Sequence, residues 1–385
     1  MHSFKFSSLF LLIAVSSVGY TAKTCNVLDY GGVADNATDI GLAIIKAHAD
    51  CVSGATTTDP ADTVLLVPPG TYALQTFVYF EHPSYFTIEI NGELNLVFDP
   101  ALKGNMFLFD RCDHLVWKGN GTIHGHGDLW RPNNNLGAYP NRPRLLRFQN
   151  CNNADISGVT LHNSPMFHVV IIGNDNVAHD MKIIADHIGA TDGFDVLGNN
   201  NYVHDVSVEN GDECVTLKSP TNGFVAENIQ CHYSAGCNIG SFGKDATGVS
   251  VQNVYYRNVT LNDGDAGIML KSFSSSQGVV KNLTYVDFTF TNVAHPIKIT
   301  DHWCPQSNCP ETTGSLSWQD ITFQSITGTG DRYRNRPTIE VNCTSGPTCT
   351  GITFEDVQLA KEGDATPTVH LENACGSGLP NLPAC

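Results

Sequence analysis

The feature that most constrains the fold is a repeat of short β-rich segments, each followed by a turn, a second β-rich segment and an Asn or Asp. The period is roughly 21 to 30 residues, the range of stacked solenoid coils. A chain of 385 residues exceeds a usual single compact core, so it forms either two domains or one elongated repeat. The first segments of successive copies are Leu146-Arg147-Phe148, His168-Val169-Val170, Phe194-Asp195-Val196, Val215-Thr216-Leu217, Ile268-Met269-Leu270, Ile297-Lys298-Ile299 and Ile339-Glu340-Val341.

These segments predict an all-β solenoid of parallel strands. They are too short and too rich in Val, Ile, Thr and Phe for helices, and the gaps are too short and polar for the crossover helices of a doubly wound sheet. A β-sandwich of antiparallel hairpins is the alternative, but its alternate strands would differ in character. The segment from Ile40 to Ala49 has apolar residues at helical spacing and is predicted to cap the open edge of the first coil.

Composition and the start of the chain indicate an exported protein. A hydrophobic fraction of 41% excludes wholesale disorder, and a net charge of −17 argues against nucleic acid as a partner. Lys5 and the apolar run from Phe6 to Val18 predict a signal peptide over residues 1–22, with a single catalytic domain over 23–385. A buried first helix is the alternative. The run is short for a bilayer span, and no later segment is long enough, so no membrane association is predicted.

Cysteine usage agrees with an oxidising compartment, since all 13 cysteines follow the predicted signal. Without paired CxxC motifs or nearby histidine pairs, a zinc cluster is disfavoured and no metal site is predicted. A disulfide between Cys112 and Cys151 is a weaker suggestion, which would leave Cys237 without a partner. The predicted disulfides are Cys25–Cys51, Cys214–Cys231, Cys304–Cys309, Cys343–Cys349 and Cys375–Cys385. Sequons for N-glycans occur at Asn36, Asn120, Asn258, Asn282 and Asn342, which are predicted to face solvent if the host glycosylates.

Stacking the coils in register brings three acids together. Aligning the segment 191–196 with 212–217 places Asp192 beside Glu213, with Asp212 diagonally next to both. Adjacent coils lie about 4.8 Å apart, so the pKa of at least one carboxyl should rise. A protonated carboxyl beside an ionised one is the pair that glycoside hydrolysis requires. Turn capping or ion binding is the alternative role for these acids.

A set of short segments occurs in a fixed order from about Cys25 to the C-terminus. As an ordered set they resemble glycoside hydrolase family 28, pectin-cleaving enzymes with a right-handed parallel β-helix, and within it the fungal rhamnogalacturonan hydrolases. The segments are Cys25-Asn26-Val27-Leu28-Asp29-Tyr30-Gly31, Asn163-Ser164-Pro165-Met166-Phe167-His168, Thr191-Asp192-Gly193-Phe194-Asp195, Gly211-Asp212-Glu213-Cys214, Gly236-Cys237-Asn238-Ile239-Gly240-Ser241 and Met269-Leu270-Lys271-Ser272.

The resemblance implies catalytic roles. Asp212 would be the general acid, while Asp192 and Glu213 would hold and deprotonate the attacking water, with inversion at the anomeric carbon. Spacing alone would allow either retention or inversion. No cofactor is implied, and the predicted partner of a monomeric, secreted enzyme is the pectic polysaccharide rhamnogalacturonan.

Departures from the polygalacturonase pattern bear on the substrate. Polygalacturonases carry Asp-Asp at Asp212-Glu213, Gly-His-Gly at residues 234–236 and Arg-Ile-Lys at residues 269–271. Their arginine and lysine clamp uronates on both sides of the cut. With Met269 in place of that arginine, Lys271 alone suits galacturonate followed by rhamnose. Polygalacturonan and xylogalacturonan hydrolases remain alternatives within the same chemistry.

Four further residues are candidates for contact with substrate. Lys271 and Lys218 fall in one column two coils apart, although an exposed, solvated lysine is the other interpretation of Lys218. His295 falls in the column of Asp192, where a turn histidine is the alternative, and Asp195 could instead cap a turn. A protein this acidic should repel a polyuronate at neutral pH, so an acidic optimum is expected.

Two other classes of function stay open at this point. A lyase on the same scaffold would need calcium or an arginine base, and the acid column is predicted to lack a neighbouring arginine. A non-catalytic wall-binding protein would not require all three acids.

Overall fold

The computed structural model describes residues 22–53, 58–304, 315–331, 336–344, 348–361, 363–364 and 366–385. The predicted signal peptide therefore lies outside the described residues, apart from its last position. Within these ranges no helix has the length and hydropathy needed to cross a bilayer.

The described chain forms short strands that succeed one another around a coil. The strands of the first half are β1 Lys23–Asn26, β2 Thr63–Val67, β3 Thr71–Leu74, β4 Val78–Glu81, β5 Ser84–Ile90, β6 Glu93–Leu96, β7 Asn105–Asp110, β8 Asp113–Lys118, β9 Thr122–His124, β10 Arg144–Asn152, β11 Asp155–Ser157, β12 Thr160–His162, β13 Val169–Asn174, β14 Val177–His179 and β15 Lys182–Ile184. Those of the second half are β16 Phe194–Glu209, β17 Val215–His232, β18 Cys237–Gly240, β19 Val249–Asn262, β20 Ala266–Lys271, β21 Gln277–Val293, β22 His295–Thr300, β23 Ser315–Gly330, β24 Ile339–Asn342, β25 Cys349–Lys361, β26 Val369–Glu372 and β27 Ala374–Ser377.

Each strand pairs with the equivalent strand of the next coil, which produces three long parallel ladders. The ladder that carries the site runs β4, β7, β10, β13, β16, β17, β18, β20, β22, β24 and β26. Every strand pair among the described residues is parallel, so the antiparallel β-sandwich alternative is wrong. The fold is the right-handed parallel β-helix that the repeat and the resemblance predicted.

Side chains that point into the coil form one continuous apolar core. Column by column, residues of like shape stack on each other, as in the ring series Tyr256, Tyr285, Phe323 and Phe354, whose neighbouring centroids lie 5.1–5.6 Å apart. Buried asparagines form hydrogen bonds with each other in the turns between sheets. Asn176 Nδ2 donates to Oδ1 of Asn201, the equivalent residue of the next coil, at 3.0 Å.

One helix covers the first coil, as expected. Helix α1 spans Ile40–Ala47, two residues shorter than predicted, and continues as a π-helical turn over His48–Val52. The Asp39 carboxylate caps it by accepting from Gly41 N at 3.0 Å. Its apolar face packs on the first strands and so covers their open edge. The remaining helical turns are α2 Gly127–Trp130 and the 3₁₀ turns Val27–Tyr30, Pro60–Asp62 and Pro132–Asn134.

Four of the predicted disulfides are present among the described residues, and Cys112–Cys151, the weaker suggestion, forms as well. The disulfides are Cys25–Cys51, Cys112–Cys151, Cys214–Cys231, Cys343–Cys349 and Cys375–Cys385. Cys237 is free and buried, whereas the predicted Cys304–Cys309 pair includes a residue outside the described ranges. Four of the sequon asparagines are exposed, and the fifth, Asn342, is half-buried at the end of β24.

Candidate active site

The register between β16 and β17 aligns two of the predicted acids. Phe194 lies opposite Val215, so Asp192 and Glu213 occupy the same position on successive coils. Gly193 N donates to Glu213 O at 2.8 Å, which extends the ladder to this position. Asp212 is adjacent in sequence, and one carboxylate oxygen of each of the three acids lies within 4.8 Å of the others. The juxtaposition expected from the coil repeat is therefore present.

A buried asparagine and a threonine hold the turns that carry these acids. Asn210 Nδ2 donates to Thr191 O at 2.8 Å and to Glu213 O at 2.9 Å, so it joins the two coils. The Thr191 hydroxyl accepts from Gly211 N at 3.0 Å and donates to Ile188 O at 2.7 Å. A Cβ at Gly211 would come within 2.0 Å of Ile188 N, so only glycine fits there. The acids are thus set on rigid turns.

Asp212 is a carboxyl group that retains its proton into the neutral range. Its Oδ2 accepts from Ala190 N at 2.7 Å and its Oδ1 from Glu213 N at 3.0 Å. Burial, followed by the nearby charge of Glu213, raises the pKa of Asp212 to about 7. At acidic pH this half-buried group can therefore donate a proton.

Glu213 has the opposite electrostatic environment. Lys271 Nζ donates to Glu213 Oε1 at 2.5 Å, and both side chains are almost fully buried. Burial opposes ionisation, but the positive charges of Lys218 and Lys271 outweigh it and hold the pKa of Glu213 well below its usual range. Lys271 also lies over the Trp303 ring, 4.5 Å from its centroid. Nothing in the sequence pattern singled out Trp303.

Asp192 is the most deeply desolvated of the three acids. Its side chain is 4% exposed, and Oδ1 has no hydrogen-bond partner within the described residues. Burial and then the charges of Glu213 and Asp195 raise the pKa of Asp192 well above its usual value. The buried His168 ring fixes its backbone, because Nδ1 lies 3.0 Å from Asp192 O. His168 belongs to a predicted family motif, but this positioning contact was not foreseen.

Asp195 and Lys218 form a pair beside the acids. Lys218 Nζ lies 3.4 Å from Asp195 Oδ1 and donates to Gly240 O at 2.7 Å, so it is not a solvated surface lysine. Burial raises the pKa of Asp195 to about 6 even though Lys218 opposes that shift. The predicted two-coil spacing of Lys218 and Lys271 is present, with Gly240 between them.

His295 lies in the predicted column but not in the acid cluster. The column passes through Ala235 and Ala266, so three coils, about 14 Å, separate His295 from Glu213. Its Nδ1 is 3.9 Å from Glu340 Oε2, which Lys298 Nζ approaches at 3.1 Å. The structure therefore places His295 further along the same surface.

In the acid column the positions next to Asp192 and Glu213 are Phe167 and Ala235, so no arginine stands directly beside these acids in that column. Arg144 occupies the register position of Asp192 two coils earlier, with Phe167 between them. Arg147 has the same relation to Asp195. Arg147 stands in a segment that the sequence repeat includes, Leu146-Arg147-Phe148, but the repeat starts its next copy one residue too early, at His168, whereas Leu146 pairs with Val169.

The three carboxylates could in principle surround one cation, since their oxygens lie so close. The positive charge that a cation would bring is already supplied here by Lys218 and Lys271. What the cluster provides is one protonatable carboxyl next to one ionised carboxylate, at a solvent-accessible position.

The family model described as glycosyl hydrolases family 28 matches residues 58–377. The chain belongs to this family. It is 35% identical over 361 residues to a probable rhamnogalacturonase E of Aspergillus flavus, covering 92% of this chain and 76% of that protein. It is 34% identical over 372 residues to rhamnogalacturonase A of Aspergillus aculeatus, covering 95% and 79%. Among solved structures, an endo-xylogalacturonan hydrolase from Aspergillus tubingensis superposes with a TM-score of 0.79 at 24% identity, over 94% of this chain and 98% of that one.

Membership of family 28 makes the chain a glycosidase. The assignment to hydrolases therefore depends on the family match and on the acid and base character of Asp212 and Glu213.

Proposed function

We propose that this protein hydrolyses the galacturonosyl–rhamnose bonds of rhamnogalacturonan from within the chain. The observation that carries the proposal is the contrast between two adjacent carboxyl groups, a protonated Asp212 and an ionised Glu213 clamped by Lys271. General acid–base hydrolysis needs both states at one pH. The similarity to several Aspergillus rhamnogalacturonases supports the choice of polymer.

In this mechanism Asp212 protonates the glycosidic oxygen as the bond to the anomeric carbon breaks. Glu213 accepts a proton from the attacking water, and Asp192 holds that water through its carboxyl group. Lys271 keeps Glu213 ionised through the same acidic range in which Asp212 is protonated.

Inversion at the anomeric carbon is part of the proposal and comes from the family resemblance. One oxygen of each carboxylate lies within 4.8 Å of the others, a closest approach that does not by itself distinguish the about 5–5.5 Å between carboxyl groups of retaining enzymes from the about 6.5–9.5 Å of inverting ones. Inversion therefore depends on the family resemblance, and the anomeric configuration of the first product decides between the two outcomes.

Substrate choice is proposed from the cations beside the acids. Lys271 stands where it can also reach a substrate carboxylate, while Met269 on the same strand is apolar and 5% exposed. A single cationic side chain that binds a carboxylate beside the scissile bond suits a polymer in which only one of the two sugars is a uronate. Polygalacturonan and xylogalacturonan have uronates on both sides of the cut and are the competing substrates.

We further propose that the protein acts outside the cell as a monomer. The five disulfides of the described residues require an oxidising compartment to form. Helix α1 covers the first coil, so the parallel ladders do not present that edge to a second copy.

Product analysis on purified polymers tests the function. Incubation with rhamnogalacturonan should release oligosaccharides with galacturonate at the reducing end, faster than reducing ends appear from polygalacturonate or xylogalacturonan. Proton NMR of the first products should show the β anomer, because inversion reverses the α linkage. Faster cleavage of either competing polymer would replace the proposed substrate, and an α first product would replace inversion by retention.

A further inference from the structure

A second cationic site lies on the same ladder as the acids. Arg144 and Arg147 belong to β10, two coils before β16, and stand in the register columns of Asp192 and Asp195 respectively. Both side chains are partly accessible to solvent. Since coils are about 4.8 Å apart, roughly 10 Å separates this site from the acids along the fold axis.

These two guanidinium groups differ from the other arginines of the described residues. Arg111, Arg131, Arg257 and Arg336 each have a carboxylate partner, and Arg142 donates to the backbone carbonyls of Leu136, Tyr139 and Pro165. Neither Arg144 nor Arg147 has a carboxylate within 4.0 Å in the described part of the chain. Both guanidinium groups interact with the charge of Asp195 only over a longer distance, so neither is neutralised by a direct ion pair in a protein with 38 acidic residues and 21 basic ones.

Local contacts hold both side chains on the outer surface of the sheet. The Arg144 guanidinium lies 5.2 Å from the centroid of the Phe167 ring, which stands between it and Asp192 in the column. Arg147 Nε donates to Gln149 Oε1 at 2.9 Å, which leaves the two terminal amino groups available. Backbone pairing of Arg144 with Asn105 fixes the start of β10. The site is therefore built on a regular strand.

A carboxylate is the ligand that these groups are suited to bind. Arginine presents a planar fork that matches a carboxylate through two parallel hydrogen bonds. An extended pyranose chain advances by roughly one coil for each sugar. A polymer that alternates galacturonate with a neutral sugar therefore presents a carboxylate at every second coil, and two coils separate Arg144 from Asp192.

We propose that Arg144 and Arg147, with the Phe167 ring, form a distal subsite for the galacturonate one disaccharide repeat away from the residue at the catalytic acids. The inference depends on the proposed function, because the two-coil spacing is argued from an alternating polymer. Its consequence is that affinity rises with chain length once an oligosaccharide reaches β10.

A length series on defined rhamnogalacturonan oligosaccharides tests the subsite. The double variant Arg144→Gln/Arg147→Gln should lose about tenfold to a hundredfold in kcat/KM on long oligosaccharides, mostly through KM. It should lose less than twofold on the shortest oligosaccharide that the wild type cleaves. Arg257→Gln, which removes an exposed arginine paired with Glu227, is the matched control and should leave both values unchanged.

The outcomes separate the subsite from the proposed function. If the wild type cleaves another pectic polymer as fast as rhamnogalacturonan or faster, the proposed function is wrong. The length series would then be run on oligosaccharides of the polymer that is cleaved. Equal losses at every length, or no loss at any, would overturn the subsite. Binding of a long oligosaccharide by calorimetry in the Asp212→Asn background should show a shallower salt dependence when both arginines are replaced, and an unchanged slope would count against the subsite.

Discussion

Lys271 lies two coils beyond Glu213, yet its Nζ donates to Glu213 Oε1 at 2.5 Å across the intervening coil. Both side chains are almost fully buried. A buried ion pair of this kind fixes the protonation state of one carboxyl in a cluster where three compete for protons. In the proposed mechanism the pair therefore determines which acid serves as base.

Lys271→Met should remove the charge that keeps Glu213 ionised. We expect the pKa of Glu213 to rise, so the acidic limb of the kcat/KM profile should move upward and kcat/KM at the optimum should fall by about a hundredfold or more. Lys182→Met, an exposed lysine on β15, is the control. An acidic limb that stays in place would mean that Lys271 serves only to bind substrate.

Asp212→Asn should abolish proton donation while preserving the shape of the site. Removal of a general acid typically costs about 10²–10⁴ in rate, so kcat should fall by that factor while oligosaccharide affinity changes little. Asp263→Asn, an exposed acid on the neighbouring surface, should leave kcat unchanged. Retention of full turnover in Asp212→Asn would exclude this residue as the acid.

The dependence of kcat/KM on pH should reflect the ionisation of both carboxyl groups, since one must carry its proton and the other must have lost it. The proposed mechanism needs protonated Asp212 and ionised Glu213, and the pKa of Asp212 is raised to about 7. We therefore expect kcat/KM to decline above about pH 7 and to hold its value far into the acidic range. The initial rate between pH 3 and pH 9 would check this, and a rate rising steadily through neutrality would contradict it.

Asp192→Asn should stabilise the protein at neutral pH. The folded-state pKa of Asp192 lies well above the value of 3.8 for an exposed aspartate. The stability that its protonated form contributes is therefore present below about pH 3.8 and is lost as pH rises through the folded-state pKa. Thermal unfolding should show a gain of about 1–3 kcal/mol at pH 7 and a smaller one at pH 4. A larger gain in unfolding free energy at pH 4 than at pH 7 would mean that the folded-state pKa of Asp192 is lowered rather than raised.

Met269→Arg should shift preference toward polymers with uronates on both sides of the cut. Met269 stands on the same strand as Lys271, where the resemblance implies an arginine in polygalacturonases. We expect the ratio of kcat/KM on polygalacturonate to that on rhamnogalacturonan to rise by about tenfold, with Met269→Leu as control. If a folded Met269→Arg variant keeps the wild-type ratio, residue 269 does not determine which polymer is preferred.

The coil register and the acid cluster followed from sequence because each coil repeats the same hydrophobic pattern. Asp192 and Glu213 precede equivalent apolar residues by the same number of positions, so stacking alone brings them together. Trp303 could not be placed in this way, because it follows β22 in an irregular segment where no repeat fixes the count of residues. Arg144 lies two residues before the repeated segment Leu146-Arg147-Phe148, so the same stacking places it once the next copy is taken to start at Val169 rather than at His168.

The unpaired Cys237 lies inside the coil that separates Glu213 from Lys271. Burial raises the pKa of its thiol to about 12, so in the folded state it neither ionises at neutral pH nor meets a reagent. Its alkylation must wait for that coil to separate from its neighbours. The native chain thus already contains a reporter of local unfolding. The rate at which a thiol reagent labels Cys237 would measure how often the coil between Glu213 and Lys271 opens.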